Sequence, residues 1–167
     1  MEKRSIESIV KALNDYKVQY LIVGGLAVVA HGYVRFTADI DLILAMDTQN
    51  LFNAVTALKT LNYRPRAPVE FERFADPDHR KQWVDQKGLT VFSLFSPDHP
   101  VSEIDLFIDP PLVFSEAHPR AIQLEVAPGI AATFCSLEDL IDLKSKAGRP
   151  RDLDDIEQLR KIRDSRL

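Results

Sequence analysis

The stretch Tyr20–Leu44, YLIVGGLAVVAHGYVRFTADIDLIL, decides how the rest of the chain is read. It predicts a short apolar strand over Tyr20–Val23, a turn at Gly24 and Gly25, a small apolar helix from Leu26 to His31, a loop, and a second strand carrying Asp39 and Asp41. Side chains on a strand alternate faces, so residues two apart point the same way about 6 to 7 Å apart. Both carboxylates therefore leave one face, and Ile40 and Leu42 turn toward a core. Two parallel carboxylates among apolar neighbours repel each other and are costly to bury unless a cation lies between them. A divalent metal is the simplest cation: magnesium is held by one or two carboxylates and keeps positions for water and substrate phosphates. The glycines let backbone approach a ligand, and the helix start beyond them aims free N–H groups at an anion. Metal and anion together indicate a phosphate substrate.

Working outward, 167 residues with 46% hydrophobic and 28% charged content suffice for one domain with a proper core, residues 1–167. A net charge of −4 excludes a general polyanion coat, so any nucleic-acid substrate requires a local basic patch. Cys135 is the only cysteine, which excludes an internal disulfide and a cysteine-based zinc cage and points to a reducing compartment. The first fifteen residues read as an amphipathic helix without an apolar signal core, and no apolar run reaches membrane-spanning length. A cytoplasmic protein with no membrane association is the expectation.

Ile6, Ile9, Val10 and Leu13 recur at helical spacing, and a second covering helix begins at Asp47 and Thr48 with the stripe Leu51, Phe52, Val55, Leu58 and Leu61. From Tyr63 to Arg80 periodicity fails and three of the ten prolines fall there. This segment predicts a long loop, with a short strand at Val69–Phe71 and a helix from Pro77 to Gln86. Its Arg64, Arg66, Arg73, Arg80 and Lys81 are only partly offset by local acids, which suits either contact with an acceptor or a solvated lid. Leu89–Phe95 and Val101–Ile108 predict an antiparallel hairpin around Ser96–Pro100. In its second strand Glu103 and Asp105 share a face; Asp109 suits the turn before Pro110. Ile122–Val126 and Ile130–Phe134 read as strands around Pro128 and Gly129, and Cys135 as a small core residue. Ser136 caps a helix with Leu137, Leu140, Ile141 and Lys144 on one face. Lys144 on that stripe needs an anionic partner or a path to water. A last helix starts near Pro150 with Leu153, Ile156, Leu159 and Ile162 expected inward. Walker and kinase signatures are absent, no serine sits in a nucleophile elbow, and no internal repeat occurs.

Gly24-Gly25, thirteen intervening residues, then Asp39-Ile40-Asp41-Leu42 resembles the signature of the nucleotidyltransferase superfamily, the DNA polymerase beta-like fold. Ala30-His31-Gly32, Arg35 and Thr37 are similar to its small bacterial branch, which includes AbiEii-type and MenT-type toxin transferases and stand-alone members. The resemblance implies an α/β (α+β) fold: a mixed central sheet flanked by helices, with a C-terminal helical pair over residues 136–165. It implies transfer of an NMP group from an NTP such as ATP to an acceptor hydroxyl with pyrophosphate release. Asp39, Asp41 and Asp105 would bind magnesium or manganese, with Glu103 in reserve for Asp105, and Gly24 and Gly25 would hold the nucleotide phosphates. Arg35 and Thr37 precede the acid pair, as either phosphate contacts or ordinary loop residues. The segment EDLIDLKSKAGRPRDLDDI also resembles this branch's C-terminal motif, in which Lys144 faces the triphosphate. Asp152 and Asp155 match the motif's acids and would orient Lys144 or Arg149, or else serve as dipole-favoured acids in a first helical turn. His31 is either a capping residue or a substrate contact. The implied acceptor is tRNA, a protein or a small molecule, and a toxin–antitoxin partner chain is a further implied association. A non-catalytic nucleotide-binding module and a magnesium phosphohydrolase are the rival readings.

Overall fold

A computed structural model describes residues 2–167. Helix α1 (Lys3–Asp15) leads into strand β1 (Tyr20–Val23), whose four side chains are all buried. Helix α2 (Gly24–Ala30) follows at once, starting at Gly24 itself rather than beyond a two-glycine turn. Gly24 has φ +65°, a conformation glycine adopts without steric cost, so strand passes into helix with no intervening loop. Strand β2 (Ile40–Leu44) begins one residue after Asp39. Helix α3 (Thr48–Lys59) is capped by Asp47, whose side chain accepts from the Asn50 amide. Asn50 is itself buried: its amide group donates to Gln19 O and Ala45 O at 3.0 and 2.8 Å, tying the helix to the outer ends of β1 and β2.

Strand β3 (Arg64–Pro65), a 3₁₀ turn over Phe71–Ala75 and helix α4 (Pro77–Lys87) fill the segment without periodicity. The expected strand at Val69–Phe71 does not form. Phe71, Phe74 and Ala75 are buried together at 3₁₀ spacing, and the Phe74 and Phe92 rings meet at 5.2 Å. Strands β4 (Val91–Phe95) and β5 (Ile104–Phe107) form the predicted antiparallel pair. A short helix α5 (Phe114–Ala117), strands β6 (Ile122–Ala127) and β7 (Ile130–Phe134), and helices α6 (Leu137–Ala147) and α7 (Pro150–Ser165) complete the chain.

The seven strands make one mixed sheet in the order β3-β4-β5-β2-β1-β7-β6. β2 is antiparallel to β1 and parallel to β5, and β1 is parallel to β7. Ile40, Leu42, Ile104 and Leu106 are essentially inaccessible, which leaves Asp41 and Asp105 on the opposite face. Helix α2 rests on β1 and β2 and meets α6, and α6 pairs with α7. The fold is therefore the expected mixed α/β sheet flanked by helices. Among the described residues no helix is long and apolar enough to cross a membrane.

Leu153 faces water with 64% of its surface exposed, contrary to its expected inward position. The buried stripe of α7 instead runs through Asp152, Asp155, Ile156 and Leu159, because two aspartates turn inward to meet cations. Leu42, at the sheet centre and inaccessible, is the reference position for core packing. Leu42→Ala should lower unfolding free energy by about 2–5 kcal/mol in urea titrations; a loss under about 1 kcal/mol would show that the sheet centre is not the stability-determining core.

Candidate functional site

Register brings the acids together. Val23 pairs with Asp41, Asp41 with Asp105, and Asp105 with Ser93 across four adjacent strands. Ser93 Oγ donates to Asp105 Oδ1 at 2.6 Å. Asp39, exposed and just before β2, lies two residues back along the same edge. Asp41 is half-buried, and burial together with the charges of Asp105 and Asp39 pushes its carboxyl up to about 6, against the opposing pull of Arg149 and Lys144. Asp39 is also raised, by desolvation first and then by Asp105 and Glu103. The remaining hairpin acid, Glu103, is engaged by both Nε and the terminal guanidinium nitrogen of Arg66.

Among the described residues no three His, Cys, Asp or Glu side chains converge as a formed metal cage. The donor chemistry nevertheless suits a hard divalent cation: carboxylate oxygens in adjacent register, one of them on a carboxyl whose proton affinity is raised by burial and by its anionic neighbours. A cation would relieve that repulsion.

The two glycines are required by close approach. A Cβ on Gly24 would stand 2.0 Å from Asp41 Oδ2, and one on Gly25 would stand 2.6 Å from Thr37 Oγ1 and 3.1 Å from Arg35 Nη1. Gly24 opens onto a cleft of about 560 Å³ whose wall includes Asp41, Asp105, Phe107, Lys144, Lys146 and Arg149. Gly25, Thr37, Arg35 and Asp39 lie outside that wall. Thr37 and Arg35 instead pack over Gly25 and hold the approach to β2.

Lys144 does not reach for water. Only 5% exposed, its Nζ donates to Asp152 Oδ1 at 2.9 Å and pairs with Asp155 Oδ2 at 2.7 Å. Asp155 also receives Arg35 through two bonds of 2.7 and 2.8 Å. Asp152 Oδ2 accepts from both the backbone N and the Nε of Arg149, at 3.1 and 3.0 Å. Burial alone would push the Asp152 carboxyl up, but the bonds from Arg149 and Lys144 outweigh it and hold it below the usual carboxylate range. Arg35, Asp155, Lys144, Asp152 and Arg149 thus form one chain of charge joining the loop before β2 to the cleft. Arg149, which the sequence suggested only as a residue oriented by those acids, has a side chain 74% exposed that lines the cleft. The Gly148-Arg149-Pro150 cap between two helices is the signal that could have found it. His31 is buried, with Nε2 donating to Cys135 O at 2.9 Å, as suits a helix-end residue at the core's edge.

A family model described as a nucleotidyltransferase of unknown function (DUF6036) matches residues 3–105. The chain belongs to this nucleotidyltransferase family. The match carries the superfamily resemblance but names DUF6036 rather than the AbiEii or MenT branch. No curated protein sequence matches. Among solved structures, ANT(2")-Ia in complex with adenylyl-2"-tobramycin is similar over 98% of this chain and 95% of its own, with 16% identity and a TM-score of 0.55. An antigenic nucleotidyltransferase-like protein from Paracoccidioides brasiliensis is 21% identical over 95% of this chain and 75% of its own, with a TM-score of 0.60. The solution structure of the antibiotic-resistance factor ANT(2'')-Ia is 18% identical over 98% and 91%, with a TM-score of 0.55. These likenesses establish that the DUF6036 chain has the nucleotidyltransferase fold.

Two outcomes follow from the packing around Asp41. Gly24→Ala should destabilise the protein by more than about 1 kcal/mol, since it adds left-handed strain to a clash with a carboxylate; a thermal midpoint equal to wild type would show that Asp41 is free to swing away. A carboxyl raised in the folded state stabilises the fold fully only below its unfolded value of 3.8, and that stability is lost as pH rises through about 6. In metal-free buffer Asp41→Asn should therefore gain up to about 3 kcal/mol over wild type above pH 7 and nothing near pH 3. Parallel stability curves across that range would contradict the assigned burial.

Proposed function

We propose that this DUF6036 protein is a single-domain, divalent-metal-dependent nucleotidyltransferase that moves an NMP group from an NTP to an acceptor hydroxyl. The observation that carries the reading is the register of Asp41 with Asp105 beside Gly24 on the wall of a cation-lined cleft. The cleft volume suits a nucleotide, and Phe107, Leu140 and Leu143 offer apolar surface for a base. Lys144 and Arg149 supply positive potential for the phosphates. Gly24 and Gly25 bring backbone close to them, while Arg35 and Thr37 keep that backbone in place and Asp152 aims the two cations.

Asp39, Asp41 and Asp105 would hold magnesium or manganese, which supplies charge neutralisation on the phosphates and a more electrophilic α-phosphorus. The chain's own task is positioning and electrostatics. The acceptor hydroxyl oxygen bonds to the α-phosphorus, the bond from that phosphorus to its bridging oxygen breaks, and pyrophosphate departs. The hydroxyl proton passes to the carboxylate group of Asp39, Asp41 and Asp105. Ser93 keeps Asp105 turned along the strand for this role.

Asp39→Ala and Asp41→Ala should each reduce magnesium-dependent pyrophosphate release from ATP, CTP, GTP or UTP to background, while calorimetry still detects a folded protein. Full turnover in both variants would remove the metal assignment. Nucleotide binding without pyrophosphate release in wild type would instead make the protein a binding module, and phosphate release without acceptor labelling a phosphohydrolase.

A further inference from the structure

The carboxylates divide the site face of the sheet into two halves. Paired residues on neighbouring strands share a face, as do residues two apart on one strand. One half, toward Val91 and Phe107, is the cleft already described. The other half continues the same face in the opposite direction: Glu103 precedes Asp105 by two, Phe95 follows Ser93 by two, and Arg64 pairs with Phe95. Among the described residues neither α6 nor α7 packs substantially on β3 or β4, and Arg64 and Arg66 are exposed.

The side chains there make a flat, charged shelf. The Arg64 and Arg66 guanidinium carbons lie 5.5 and 5.3 Å from the centroid of the Phe95 ring. Glu103 grips Arg66 from the carboxylate side, offsetting its charge and fixing its plane against the ring. Arg64 makes no ion pair among the described residues, so it carries the shelf's uncompensated positive charge. By strand geometry Phe95 stands about 8 Å from Asp105, one strand across and two residues along. A planar group seated on the shelf can thus place an adjoining hydroxyl at the carboxylates. Aromatic and guanidinium planes receive unstacked bases, and a free guanidinium receives the phosphate beside them.

We infer that Arg64, Phe95 and Arg66 form the acceptor subsite and that it takes the 3′ end of a single-stranded nucleic acid, whose terminal hydroxyl is then the group that receives the NMP. This rests on the nucleotidyl-transfer reading and adds the acceptor class to it. The chain's net charge of −4 gives no general attraction to polyanions, so recognition is confined to this shelf. A polycationic acceptor would meet the unpaired Arg64 as a like charge. In the transfer the 3′ oxygen bonds to the α-phosphorus, the bond from that phosphorus to its bridging oxygen breaks, pyrophosphate leaves, and the hydroxyl proton goes to the acid cluster.

The test uses the full chain and fluorescence anisotropy with a short labelled single-stranded RNA bearing a free 3′ hydroxyl, in magnesium without nucleotide. Arg64→Glu and Phe95→Ala should each weaken RNA binding by roughly tenfold or more, with nucleotide affinity by calorimetry and thermal midpoint unchanged for Arg64→Glu. The conservative Phe95→Leu keeps the apolar contact but not the aromatic face, and should lose most of the same affinity. Asp41→Asn should do the reverse, losing nucleotide affinity and keeping RNA, so failure of the shelf and failure of the transfer reading give different patterns. Equal binding of a DNA strand keeps the assignment to single-stranded nucleic acid, and preference for RNA narrows it. Wild type that binds neither strand, variants that bind as wild type does, or label from the NTP appearing on protein or an aminoglycoside rather than on an RNA 3′ end would each overturn it.

Discussion

Everything at this site depends on the parallel pairing of β2 with β5, because it sets two like-charged carboxylates side by side at the middle of a sheet. That arrangement is unfavourable on its own terms. Burial first, and the charges of Asp105 and Asp39 after it, raise the carboxyl of Asp41, and the buried Ile40, Leu42, Ile104 and Leu106 on the reverse face are what hold the pair in register despite that cost. A one-residue slip would send the aspartates into the core and the isoleucines to water, so hydrophobic burial determines the geometry of the charges. Strain of this kind, maintained by the core rather than relieved, is expected at functional sites, and paired carboxylates suit a cation.

A second set of charges is balanced instead of strained. Lys144 is almost wholly buried between Asp152 and Asp155, which in turn hold Arg149 and Arg35. Removing one partner from such a network leaves an uncompensated buried charge, so its members act as a unit. The consequence is mechanical as well as electrostatic. Arg35 sits over Gly25 at one end and Arg149 faces the cleft at the other, so the last two helices, the loop before β2 and the start of α2 are held in one arrangement. On the open half of the sheet face the bracing is lighter, with the Arg66–Glu103 pair lying beside Phe95.

Much of the fold was legible because the deciding elements are short and strongly patterned. Tyr20–Val23, the Asp47 cap, the β4–β5 hairpin, the turn at Gly129 and the Ser136 cap all fall where local chemistry indicated. The failures came where packing overrode pattern. Phe71 and Phe74 form a 3₁₀ turn because their rings are wanted in the same cluster as Phe92. Leu153 faces water because α7 is rotated by the demand for anions around Lys144. The five basic residues of the irregular segment looked unmatched, yet Arg66, Arg73 and Lys81 each find an acid, two of them nearby in sequence and one across the sheet.

The sequence by itself determined that Asp39 and Asp41 leave one face of a strand and that a glycine step leads from a strand into a short helix, since alternation and helix-start chemistry are local properties readable from spacing. It also determined the sheet-and-helix class. Only the tertiary structure decided that Asp105, sixty-four positions beyond Asp41 in the chain, lies in register with it. The same holds for the burial of Lys144 and for the open guanidinium–aromatic shelf on the far side of the acids. Strand order and helix rotation are settled by burying apolar area across the whole molecule, and no window of sequence contains that balance.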